Sequence, residues 1–451
     1  MRSLAQPLAS VDTGAGLGGL RPILLSLILL LSWIGVEPFP DLTSDTLLDP
    51  DKAAGSLNMM AYLGLGAAAF AAILMTKPAA LRLIFGPLTL LALGWLLVAT
   101  ITSQDPGLSS RRLVLTAIIM LLAGGMIVLP QSLRQFAGLL AGAALFVLAL
   151  CFAGIYFAPH FSVHQVSDAA EPKLAGDWRG LFAHKNVAAS MMVIFIFVGI
   201  FVSRALERTL GTLIIALAAL FLWQTAGKTS LGILPLALVL AWIFHATRNQ
   251  VVRYAIVIIP VVLLNLATIG SVALPWVAQI NHLVLPDASF TGRTDIWQFA
   301  LQKVQQRPWL GYGYQAFWQT SSTRFGANDT GDVSEQALDE SATTADHAHN
   351  AYLDVALTTG LPGLVLTIAW LVFYPLRAFA RARDNGAPPE LLLFFTQIWL
   401  FSINFACLES LYFNRTDPAW LMLLVSIFGV TVLTRYRITR SSVGVPSGSV
   451  V

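Results

Sequence analysis

Charge is what this chain has least of. Asp, Glu, Lys and Arg make up 11% of its 451 residues, against roughly a quarter in an ordinary soluble domain. The formal net charge is only +3, which excludes the strongly basic surface of a nucleic-acid binder. Cysteine is nearly absent. Cys151 and Cys407 both fall inside apolar runs and read as small buried hydrophobes, not as a disulfide. No internal repeat is visible. The first apolar run, Pro22–Val36, is followed by "EPFPDLTSD" and no small-residue cleavage site, so it reads as a retained anchor and not as a cleaved signal. Two nucleotide fingerprints also fail. "GAGLGG" (Gly14–Gly19) has the G-x-G-x-x-G spacing but no strand before it or βαβ unit after it, and reads as a flexible tail. "AGKTS" (Ala226–Ser230) has Leu222 where a P-loop needs its first glycine.

What the chain does have is apolar length. Hydrophobic residues make up 56% of it and the mean hydropathy is +0.72. The long runs do not alternate, so they predict helices, the structure that satisfies every backbone group within its own segment in lipid. Twelve spans are expected, at 20–36, 57–76, 80–101, 112–129, 135–158, 187–203, 209–224, 229–245, 252–275, 361–376, 391–408 and 418–434. The fold class is therefore all-α integral membrane. A flexible cytoplasmic tail (1–19) precedes helices one to nine (20–275), a large outer loop (276–357), helices ten to twelve (358–434) and a basic cytoplasmic tail (435–451).

Lys and Arg set the orientation. With the N-terminus inside, the inner connections collect Lys77, Arg82, Arg134, Arg204, Arg208, Arg248, Arg253, Arg377, Arg381 and Arg383, and the first outer loop is acidic (Asp41, Asp45, Asp49, Asp51). Arg111, Arg112, Arg179, Lys185, Lys228, Arg293 and Arg415 break the rule by lying on the outer side. One alternative is scattered surface charge with snorkelling stems; the other is a shared anionic ligand at the outer face. Lys228, at an expected helix start, suits an anion through both its ammonium and the free N–H groups.

The outer loop has room for a site. Ile296, Phe299, Ala300 and Val304 recur at helical spacing, which predicts an amphipathic helix over Asp295–Gln306 lying on the membrane interface. Trp297, Trp309, Tyr312, Tyr314 and Trp318 suit the headgroup zone. Phe325–Asp346 holds six acids and no Lys or Arg, the composition of a mobile flap. The loop closes on "DHAHNAYLDVALTTGLPG" (Asp346–Gly363). Three readings are open here. His347 and His349 could bind a metal if Asp346 or a flap carboxylate joined them. Asn350 could cap the following helix. A neutral histidine could take a proton from a hydroxyl, beside outer cations able to neutralise a departing phosphate.

Four segments carry a family resemblance: "WRGLFAHKN" (Trp178–Asn186), "GRTDIW" (Gly292–Trp297), "RPWLGYGYQAFW" (Arg307–Trp318) and "HAHNAYLDVALTTGLPG". In this order, with a long outer loop before a late helix, they resemble the O-antigen ligase and Wzy-type polysaccharide polymerase family, especially its exopolysaccharide-polymerase branch. The resemblance implies a GT-C-type glycosyltransferase of about twelve transmembrane helices in the bacterial inner membrane. Both termini would be cytoplasmic, with the active site in the periplasmic loop and its short amphipathic helices. The implied donor is a polyprenyl-diphosphate-linked oligosaccharide, and no metal or other cofactor is implied. By this resemblance His349 is the catalytic histidine, with Asn350 beside it, and Arg293 and Lys228 bind the diphosphate. Lys228 stands where the family has arginine and so lacks the bidentate fork. Arg179, Lys185 and Arg415 complete the expected anion set. The expected partners are the lipid-linked donor, a glycan or lipid acceptor, the bilayer and a chain-length regulator. The expected function is polymerisation of a surface or exopolysaccharide. Ligation to a lipid A core is the nearest alternative, and a transporter, a lipid flippase or a membrane scaffold are more distant ones.

Overall fold

The structure, a computed structural model, describes residues 6–7, 19–43, 56–168, 172–284, 290, 292–318, 345–415 and 417–440. The expected acidic flap, apart from Ala345 and Asp346, lies outside these residues, as do Asp45, Asp49 and Asp51 of the first outer loop and the end of the basic tail. All but Gly19 of the glycine-rich segment does too.

The described chain is helical. Its elements are α1 (Leu20–Ile34), α2 (Ser56–Thr76), α3 (Pro78–Ile84), α4 (Pro87–Ile101), α5 (Pro106–Val128), α6 (Leu133–Phe157), α7 (Lys185–Ala205), α8 (Arg208–Gln224), α9 (Lys228–Ala246) and α10 (Gln250–Ala267). There follow α11 (Ile269–Ala273), α12 (Pro275–Val284), α13 (Arg293–Gln306), α14 (Ala351–Ile368), α15 (Tyr374–Asp384), α16 (Pro389–Phe405) and α17 (Pro418–Leu433). A two-residue parallel pair, Gln6–Pro7 with Tyr436–Arg437, joins the ends of the chain.

Each expected span overlaps a helix or a bent pair. Among the described residues, seven helices are long and apolar enough to cross a membrane, or eight if α3 and α4, bent by 65°, form one span. The protein is thus a multi-helix membrane protein. Four further apolar helices, α1, α8, α16 and α17, have 15 to 17 residues. Their shortness has a physical reason in α17. Every residue of this helix is buried, enclosed by α3, α5, α7, α15 and α16. At ~1.5 Å per residue it is roughly 24 Å long, short of the ~30 Å hydrocarbon core, but its surface faces protein and not lipid. Tight packing is built in elsewhere by glycine. A Cβ on Gly211 of α8 would come within 2.4 Å of the Gly199 carbonyl of α7, and one on Gly199 within 2.8 Å of the Gly211 carbonyl. The two backbones touch, as small residues allow in membranes.

The break in "TTGLPG" positions the site. α14 begins at Ala351, ten residues before the expected span, and opens a 34-residue apolar helical run that reaches the end of α15 at Asp384 and is broken within α14. Inside it Gly360 has φ +72°, a left-handed conformation that favours glycine, and Pro362 has no N–H to donate. The carbonyls orphaned by this break are taken up by the loop motif. Tyr312 N–H donates to Leu357 O and Gly313 N–H to Thr358 O, both at 3.0 Å, while Trp95 Nε1 donates to Thr359 O at 2.8 Å. Leu361 N–H in turn donates to Pro308 O at 2.8 Å. "RPWLGYGY" is therefore a strap hydrogen-bonded across a helix break, a place where lipid-depth backbone needs outside partners.

Two expectations about the loop are corrected by this packing. α13 does not offer its apolar face to the membrane interface. Ile296, Trp297, Ala300 and Val304 are buried, and Trp297, Ala300 and Val304 share a second core with Tyr312, Phe317, Leu353 and Leu357. Of the five aromatics expected in the headgroup zone, Trp309 is mostly exposed and Trp318 half-buried, whereas Trp297, Tyr312 and Tyr314 are buried. Their rings fill protein interior, and the Trp297 indole donates to Ala348 O at 2.8 Å.

Candidate active site

The four motifs meet on a segment that belongs to none of them, Cys407–Arg415 between α16 and α17. Its centre is Glu409, whose side chain is 9% exposed. One carboxylate oxygen accepts from Arg293 Nη2 at 2.8 Å and from Asn186 Nδ2 at 3.2 Å. The other lies 3.2 Å from Nδ1 of His349. Arg293 Nη1 also donates to Leu408 O at 2.6 Å. An acid in an apolar setting needs such partners. Burial alone would raise the Glu409 carboxyl, but the Arg293 guanidinium and the His349 hydrogen bond outweigh it and hold the group well below the usual carboxylate range.

His349 is aimed by its backbone. Its φ is +48°, a conformation few non-glycine residues adopt, at a cost of roughly 1 kcal/mol or more. Phe413, within the Cys407–Arg415 segment, and Gln315, whose amide donates to the Phe413 carbonyl, share the feature at +60° and +51°. With Glu409 ionised, Nδ1–H of His349 donates to it, which leaves Nε2 as the free acceptor. The His349 side chain is 23% exposed, so it is reachable from outside.

Asn350 has a different place. It is fully buried. Its Oδ1 accepts from Tyr352 and Leu353 N–H, both at 3.1 Å, capping α14. Its Nδ2 donates to Cys407 O at 2.8 Å and Asn265 Oδ1 at 3.0 Å. The amide is saturated within the protein, so Asn350 is a positioning residue and not one that touches a substrate. His347 packs against His349 with ring centres 4.0 Å apart; its Nδ1 accepts the His349 N–H at 3.2 Å and its Nε2 lies 3.3 Å from Asp346. Burial, and then the charge of His349, push His347 below its ordinary value, in keeping with a neutral ring. Asp354 completes the support by accepting from Trp318 Nε1, Ala348 N–H and Ser410 Oγ.

The expected cations divide into four groups. Arg293 is at Glu409. Arg415 meets "RPWLGYGYQAFW" instead, with Nη1 donating to Gln315 Oε1 at 3.1 Å, while Arg112 donates to the Gln315 carbonyl. Arg179 is 1% exposed and donates to Phe182 O and Pro40 O at 3.1 and 2.9 Å. Lys185 pairs with Asp177 at 2.5 Å, and its N–H donates to His164 Nε2 at 3.3 Å. These two hold the segment that carries Asn186 to Glu409; a ligand could reach Arg179 only by displacing backbone carbonyls. Lys228 is exposed at the first turn of α9, near the Trp178 segment through the bond from Trp178 N–H to Gln224 O. Cys151 and Cys407 are both buried free thiols. Among the described residues, no group of three or more His, Cys, Asp or Glu side chains is arranged to hold a metal ion.

Glu409 is the residue that sequence reasoning missed. Its signal was present: a single acid in "CLESLY", between two apolar runs.

The family model described as O-antigen ligase matches residues 211–368, a stretch that contains Arg293 and His349 but stops short of Glu409. A curated relative, the exopolysaccharide production protein ExoQ of Rhizobium meliloti (strain 1021), is 24% identical over 269 residues. That match spans 57% of this chain and 57% of the relative. Together they support the resemblance, and three of the four motifs fall inside the matched stretch 211–368: the chain is a multi-helix membrane protein similar to the O-antigen ligase and Wzy-type polymerase family.

Proposed function

We propose that this chain is a glycosyltransferase of GT-C type that polymerises a cell-surface or exported polysaccharide at the periplasmic face of the bacterial inner membrane. The donor is a glycan on a polyprenyl diphosphate, and the acceptor is a sugar hydroxyl of a second lipid-linked repeat unit. The observation that carries this reading is the His349–Glu409–Arg293 cluster: a partly exposed imidazole with one nitrogen tied to a buried carboxylate. That tie suits a general base, because it fixes the tautomer and stabilises the imidazolium that forms. In the reaction Nε2 of His349 takes the acceptor hydroxyl's proton as its oxygen attacks the anomeric carbon. The bond from that carbon to the diphosphate oxygen breaks, and the electron pair leaves with the polyprenyl diphosphate. Direct displacement inverts the anomeric centre. Arg415 and Lys228 offer charge to the leaving group. Arg293 contributes more weakly there, since Glu409 already takes up one arm of its fork. No metal is required in this scheme.

A synthetic lipid-linked repeat unit tests the reading. Loss of polymer with His349→Ala, and retention with His347→Ala, is expected; polymerisation at the wild-type rate by the His349 variant would remove it as the base. A second reading is ligation of the glycan to a lipid A core, favoured by the description of the matching family model. The chemistry is shared and the acceptor differs. In a deletion strain, loss of long polymer indicates a polymerase, whereas full-length polymer left on its carrier indicates a ligase.

A further inference from the structure

The far end of the same helices carries charge of a different kind. Asn265, near the C-terminus of α10, touches Asn350; Arg253 lies near the N-terminus of α10, roughly 18 Å away along the axis at ~1.5 Å per residue. Arg383 lies in the last turn of α15, at the other end of the helical run that Asn350 begins. Between these ends opens a cavity of ≈ 590 Å³ lined by His245, Arg248, Arg253, Arg383 and Asp384. Three guanidiniums thus face one carboxylate.

Arg253 makes the cavity more than a display of surface charge. It is 3% exposed and sits over the Phe244 ring, 5.0 Å from its centre. Its Nη2 donates to Thr247 O at 2.9 Å, but its Nε has no hydrogen-bond partner. Arg383 is half-buried beside it, and its Nη2 donates to His245 O at 3.1 Å. The preference for cations at one membrane face accounts for exposed arginines. It does not account for a desolvated guanidinium with an idle donor beside a second one, an arrangement that costs free energy unless an anion offsets it.

We propose that this cavity is a phosphate-binding site at the end of the bundle opposite His349. The shared chemistry is a phosphate group held by the Arg248, Arg253 and Arg383 forks. It is supplied either by the headgroup of an anionic phospholipid in the adjoining leaflet or by free phosphate or pyrophosphate. The site is independent of the glycosyl-transfer reading, because it shares no residue with that cluster.

The full-length protein, purified in detergent, tests this in two arms. In the first, mixed vesicles or micelles carry equal phosphatidylglycerol and phosphatidylcholine, and native mass spectrometry counts the retained lipid. In the second, lipid-stripped protein is titrated with inorganic pyrophosphate and its melting midpoint followed. Preferential retention of phosphatidylglycerol identifies the headgroup as source, and a pyrophosphate-dependent rise in midpoint identifies the free anion. In whichever arm responds, Arg248→Gln and Arg383→Gln should each reduce occupancy at least tenfold. Arg248 is exposed, so its replacement leaves the packing intact. No response in either arm, or a response unchanged in both variants, would overturn the site.

Discussion

The two ends of this helix bundle use arginine in opposite ways. At the His349 end, Arg293 is matched by a buried carboxylate, a backbone carbonyl and, through Glu409, an imidazole and an amide. Within that cluster each charged group has a partner in the chain. At the Arg253 end, three arginines share one aspartate. The difference teaches what each end can do. A neutralised cluster fixes the position and protonation of a reactive group without attracting an ion of its own. An unbalanced one attracts an anion.

The largest expected effect breaks the first end's chemistry. His349→Ala should lower the transfer rate by about 10²–10⁴-fold, the usual contribution of a general base, measured with a lipid-linked donor; an effect below threefold would contradict the assignment. Next comes the cluster's integrity. Glu409→Ala strands Arg293 and should cost about 3–5 kcal/mol of stability, seen as a lower melting midpoint in detergent. The double variant Glu409→Ala/Arg293→Met should recover part of that loss, because no unpaired charge remains; a double variant less stable than the single would count against the pairing.

A third measurement sharpens the comparison through pH. Glu409 is depressed in the folded chain, whereas an unfolded glutamate titrates near ~4.3. The unfolded state therefore takes up a proton first as pH falls, so the ion pair's contribution is complete above ~4.3 and declines below it. The midpoint difference between wild type and Glu409→Gln should stay constant from neutral pH to about 5 and shrink on further acidification. A difference that widens towards acid would reverse the sign and refute it. The smallest effect is that of salt. Between roughly 0.1 and 1 M, screening shortens from ~10 to ~3 Å. The Glu409–Arg293 coupling energy from a double-mutant cycle should change by only a few tenths of a kcal/mol, since the pair is largely buried. Anion binding at the exposed Arg248 end should weaken visibly. Equal salt sensitivity at both ends would remove the contrast.

Much of the site was legible before the fold. His349 and Arg293 were marked by motif, and Asn350 by its place before an apolar helix; the outer cations were marked by breaking the inside preference. Arg179 and Lys185 were marked in the same way, yet they turn out to brace the Asn186 segment. A cation's position in sequence cannot reveal whether a carbonyl or a carboxylate already holds it. Trp297 misled similarly. Its indole suits an interface, but α13 packs its apolar face on α14, and the ring is enclosed.

The sequence by itself determined the helices, because apolar runs without alternation leave the backbone no other way to bond in lipid. Only the tertiary structure decided that Glu409 is the meeting point of His349, Arg293 and Asn186. Those partners lie 60, 116 and 223 residues away along the chain. Hydrophobic periodicity records which face of a helix is buried, but not which distant polar group is buried against it. That pairing follows from the packing of α7, α13, α14 and α16, where a desolvated carboxylate is stable only if the fold brings its cation to it.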